Sequence, residues 1–116
     1  MSKDWSQVSA DLAEPLRQLR QGIPDVMKAF GAMDKALMQD TALSPKTKEL
    51  IALALGVAAR CDGCLAAHGR AAAKYGATRE EVMETIGMAI YMGGGPSVIY
   101  GAQALQAFDQ FSTPAA

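Results

Sequence analysis

The sequence predicts an all-α fold, a single-domain helical bundle of about six helices that assembles into an oligomer. Apolar residues recur at three- and four-residue steps along most of the 116 residues, with no alternating strand pattern and no internal repeat. Half of the residues are apolar but only 6% are aromatic, a composition dominated by alanine, leucine and methionine that suits closely packed helices. Helix start and stop signals then cut the chain into helix-length segments. The length suits one domain, spanning residues 1–116.

Trp5, Val8, Leu12, Leu16 and Leu19 form the apolar side of a first helix, which Pro15 is expected to kink or divide and Gly22 to end. Pro24 suits the first turn of a second helix, whose Val26, Met27, Phe30, Met33 and Leu37 make one stripe read as core packing. After a short connection, Asp40 to Leu43, Ser44 and Pro45 supply an N-cap and a proline at the first helical position. Leu50 to Ala59 is apolar all round, so this third helix should be covered on several sides and Glu49 partly buried beside it. The alternative for Glu49 is a solvated carboxylate favoured by the helix N-terminus.

Cys61 to Tyr75 reads as the fourth helix, ended by Gly76 in the left-handed region. Thr78 and Glu81 have capping-box spacing and open a fifth helix that points Val82, Met83, Ile86, Ala89 and Ile90 inward. The run Gly93, Gly94, Gly95, Pro96 lacks the lysine and hydroxyl of a phosphate loop and any preceding strand, so it reads as a tight turn. The last helix, Pro96 to Phe111, is expected to bury Val98, Ala102, Leu105 and Phe108 on one side. Gly101 and Ala102 should let another helix, such as a partner subunit's, approach closely, and Ser112 to Ala116 reads as a frayed tail.

Composition also excludes classes of function. A net charge of −1 with scattered lysines and arginines gives no footprint for nucleic acid. The start MSKDWSQ lacks the blocks of a signal peptide, and no apolar run approaches the roughly 20 residues of a membrane span. A cytoplasmic location is therefore expected, where a cysteine pair is more often catalytic or metal-binding than structural. A chain this small cannot easily hide so much apolar surface within itself, which implies a homo-oligomer.

Glu49 to Gly69 concentrates the chemistry: Glu49, then Cys61, Cys64 and the single histidine, His68. Residues three and four apart share a helix face, so Cys61, Cys64 and His68 can meet. The thiolate is the reactive form of cysteine, and an imidazole titrating near neutrality can generate it. In the first turn of a helix, free backbone N–H groups add further stabilisation, to which Arg60 would add while Asp62 opposes it. In one continuous helix Glu49 and His68 would stand about 28 Å apart. They can cooperate only if the chain turns back between Arg60 and Gly63, so that the two helices pack about 8 to 10 Å apart.

The spacing of Glu49, Cys61, Cys64 and His68, followed by YGAT and REEV, resembles the alkyl hydroperoxidase D core of the carboxymuconolactone decarboxylase family, over roughly Ala42 to Phe108. One departure is Gly63, where the best-studied peroxidases of the family carry a histidine between the cysteines. The resemblance implies a cofactor-free thiol peroxidase or disulfide oxidoreductase with those four residues as participants. It also implies a peroxide or disulfide substrate, an external dithiol reductant, and a homotrimer or homohexamer. Chemistry assigns attack to Cys64, four residues from His68, and resolution to Cys61. His68 is the expected base, and Glu49 its orienting partner. Competing readings are a zinc site made of the same four residues, a cofactor-free decarboxylase needing an acid and a base but no dithiol, and an interaction module with inert cysteines.

Overall fold

The computed structural model describes residues 3–112, which form six helices and no strand: α1 (Trp5–Gly22), α2 (Pro24–Leu37), α3 (Pro45–Ala59), α4 (Asp62–Lys74), α5 (Arg79–Gly93) and α6 (Gly95–Ser112). Their starts follow from side chains that satisfy otherwise unpaired N–H groups. Asp4 accepts from the Gln7 N–H before α1, and Ser44 from the Thr47 N–H before α3. Thr78 and Glu81 form both halves of the expected capping box before α5. Gly76 takes φ 81°, as the end of α4 requires.

Helices α3 to α6 make a four-helix core in which α3 and α6 each pack on both α4 and α5. Leu53, Val57, Leu65, Ala66, Val82, Ile86, Ala104 and Phe108 are buried between them. Helix α1 lies on α4, and α2 packs mainly on α1. Trp5 ties α1 down. It is fully buried, its indole N–H donates to Gln106 Oε1 at 2.9 Å, and its backbone N–H donates to Gln110 Oε1 at the same distance. Below α2, Lys48 Nζ donates to the carbonyls of Leu37 and Gln39 at 2.6 Å, fastening the end of that helix to α3.

Several side chains differ from the sequence expectation. Pro15 lies within one continuous α1 and does not divide it. The α2 stripe is not core: Val26, Phe30, Met33 and Leu37 are exposed, because α2 lies outside the four-helix unit. On α3, Ile51 and Leu55 also face outward, and Met83 is exposed on α5. The buried side of α6 is Ser97, Gly101, Ala104, Ala107 and Phe108, so Val98 and Ala102 lie outside it. Small size fixes this face. A Cβ on Gly101 would come within 2.6 Å of Ile86 Cγ2, so the close helix approach expected there is made by α5 of the same chain. Helix α6 also continues through Ser112, whereas the rest of the expected frayed tail, 113–116, lies outside the described residues.

Candidate active site

The turn that the site requires is made by Arg60 and Cys61 alone. Arg60 adopts φ 57° and ψ 49°, the left-handed conformation in which glycine is usual. Its N–H reaches the Val57 carbonyl and the Cys61 N–H reaches the Gly56 carbonyl, which closes the last turn of α3. Cys61 is then the N-cap of α4 and not its first helical residue, as the sequence had suggested. Its Sγ accepts the Cys64 N–H at 3.2 Å.

Cys61 and Cys64 are joined as a disulfide across this first turn, with Cα atoms 5.1 Å apart. Both are half-buried. The sulfurs sit where backbone N–H groups and the positive end of the α4 dipole favour negative charge, so the same turn that holds the disulfide would stabilise a thiolate on reduction. Behind them, a Cβ on Gly56 would lie 3.1 Å from Cys64 Cβ. Gly56 thus lets α3 and α4 approach at the cysteine level, a role that no apolar pattern signals.

One turn into α3, Glu49 is only 6% exposed. Its Oε2 stands 2.7 Å from His68 Nδ1 on the facing helix. An ionised carboxylate only accepts, so it directs the ring proton to Nδ1 and leaves Nε2 as the free acceptor. The His68 side chain is about one third exposed. The hairpin holds two bonded pairs, Glu49 with His68 and Cys61 with Cys64, and His68 follows Cys64 by four residues on α4.

Neither of two apolar recesses beside α3, one against α5 and one against Leu37 to Leu43, is lined by these four residues. No group of three or more His, Cys, Asp or Glu among the described residues has the geometry to hold a metal ion. Sequence reasoning did not find Gly56, the left-handed Arg60, or the contacts that α1 makes with the turn. Lys3 Nζ pairs with Asp62 Oδ2 at 2.7 Å, and Leu12 lies over Gly63. No helix of the described residues is long and apolar enough to cross a membrane.

Fold and site together define a helical protein with a disulfide at the turn of a hairpin whose two helices also carry a bonded acid–imidazole pair. The chain belongs to the carboxymuconolactone decarboxylase family, whose sequence profile matches residues 24–107. It is similar to a carboxymuconolactone decarboxylase family protein from Legionella pneumophila, solved in its apo form, at 48% identity and a TM-score of 0.89, covering 94% of this chain and 97% of that one. An uncharacterised Cupriavidus necator protein is 38% identical over 94% of this chain and 96% of its own length. Uncharacterised protein 4 of the cox locus of Paracoccus denitrificans is 37% identical over 71% of this chain and 74% of its own length.

Proposed function

We propose that the protein is a thiol–disulfide oxidoreductase that uses a hydroperoxide as terminal oxidant. The observation that carries this reading is the 2.7 Å bond between the buried Glu49 and His68, on the same hairpin as a disulfide at a helix N-terminus. A structural disulfide needs no such pair beside it.

In the reduced protein His68 Nε2 takes the Cys64 proton, and Glu49 stabilises the imidazolium. The Cys64 thiolate attacks one peroxide oxygen, the O–O bond breaks, and the departing alkoxide takes the proton from His68 and leaves as an alcohol. Sulfur is oxidised by two electrons to sulfenic acid. Cys61 then displaces the hydroxyl as water and forms the Cys61–Cys64 bond. An external dithiol restores both thiols by exchange and is itself oxidised to a disulfide. Its thiolate attacks Cys64, because Cys61, held by the Cys64 N–H, is the better leaving thiolate.

The same proposal has the chain act in the cytoplasm as a homotrimer or homohexamer. Exposed apolar side chains such as Phe30, Leu55, Tyr91 and Met92 support assembly. Trapping with a sulfenic-acid reagent tests the cysteine roles. Cys64→Ser should abolish the signal, and Cys61→Ser should let it persist. The opposite pattern would exchange the roles, and no reaction with peroxide beyond that of free cysteine would end the proposal.

A further inference from the structure

We propose that α1 is coupled to the redox state of the Cys61–Cys64 pair, with Leu12 as the positioning residue of that coupling. The proposal rests on the redox reading of the site and adds to it a means of regulation. The two residues between the cysteines are Asp62 and Gly63, and both are engaged from the α1 side. Lys3 Nζ bonds Asp62 Oδ2 at 2.7 Å and Gln103 Oε1 at 2.8 Å, which ties the start of α1 to α4 and α6 together. Leu12 Cδ1 lies 2.8 Å from where a Cβ on Gly63 would stand, so the leucine rests directly on the backbone of that residue. Helix α1 thus grips the short segment that closes the disulfide ring.

Reduction adds two electrons and two protons, both supplied by an external dithiol that becomes a disulfide, and the two sulfurs must then part to van der Waals separation. On its other side Cys64 packs close to α3, where a Cβ on Gly56 would stand 3.1 Å from Cys64 Cβ. The adjustment falls on Cys61, Asp62 and Gly63, the segment beneath α1. Docked α1 fits the disulfide form, so docking and oxidation favour each other, and by linkage loosening one weakens the other. The outer α2 follows, since it packs mainly on α1.

The chain carries its own reporter. Trp5, the single tryptophan, is fully buried at the start of α1. The full-length protein and its Leu12→Ala variant are equilibrated in dithiothreitol redox buffers, and the disulfide fraction is read by alkylation and mass. Leu12→Ala should be easier to reduce by about fivefold to tenfold in the equilibrium constant, tenfold being about 30 mV for this two-electron couple, while Leu12→Met keeps the parent value. In the unsubstituted protein, reduction should move the Trp5 emission maximum to the red and speed hydrogen exchange across α1. A Cys61→Ser/Cys64→Ser control should not respond to reductant. An unchanged emission maximum, or a Leu12→Ala constant within about twofold of the parent or shifted toward the disulfide, would overturn the coupling. These readouts use no peroxide, so they fail independently of the peroxidase reaction. The tryptophan measurement needs no variant to fold.

Discussion

Two helix pairs in this chain are built alike and fare differently. Helices α1 and α2 are joined through Ile23 alone, and α3 and α4 through Arg60 and Cys61. The second pair is clamped at Gly56 and covered by α5 and α6, whereas the first leaves Leu19, Val26, Phe30 and Leu37 exposed. A short connection joins each pair, but only α3 and α4 have a glycine at the crossing and cover on their outer faces, and there an acid is held against an imidazole. Catalytic precision accordingly belongs to α3 and α4, and a responsive element belongs to α1 and α2.

Substitutions can break that contrast, and the largest effect is expected at the pair that the rigid hairpin holds. His68→Ala should slow peroxide-driven formation of the disulfide by about 10²- to 10⁴-fold, the usual contribution of a positioned base, as stopped-flow thiol titration would measure. Glu49→Gln retains an acceptor for Nδ1 but removes the charge, so its loss should be smaller, about 10- to 100-fold.

Stability should separate the two helix pairs next. Leu53→Ala opens a cavity at a fully buried position and should cost about 2–5 kcal/mol in denaturant unfolding. Phe30→Ala, at a side chain 63% exposed, should stay within about 0.5 kcal/mol in dilute protein and lower the assembled mass in sedimentation instead. Equal losses at both positions would erase the distinction between covered and uncovered helices.

A smaller change of opposite sign is expected at the turn itself. Arg60 is the only described non-glycine residue with positive φ, so Arg60→Gly should raise stability by about 0.5–1 kcal/mol, relief of strain exceeding the entropy cost of glycine. Smallest of all is an acid effect at α5. The Thr78 N–H, and after it Lys46, hold the Glu81 carboxyl below its ordinary value of 4.5. The depressed value means that this contribution is present above 4.5 and is lost as the pH falls through the folded value. Glu81→Gln should therefore flatten the acid limb of a melting-temperature profile.

What could be read from the residues was local or set by spacing. The Thr78/Glu81 capping box, the Ser44–Pro45 start, and the hairpin demanded by Glu49 and His68 all depend on neighbours or on helix pitch, and each is present. Amphipathicity in α2 announced a face that needs cover without saying whether this chain supplies it. On α6 the apolar count favoured Val98, whereas packing followed Gly101, whose lack of a side chain admits Ile86 and leaves no hydrophobic signal. Arg60 in a glycine conformation and Leu12 over Gly63 are consequences of tertiary contact, with nothing in the adjacent sequence to mark them.

The most direct test is the second-order rate at which the fully reduced chain forms its Cys61–Cys64 bond on addition of an organic hydroperoxide at neutral pH. The account predicts a rate well above that of free cysteine, collapsing when His68 is replaced by alanine. A rate equal to that of free cysteine and indifferent to His68 would contradict it.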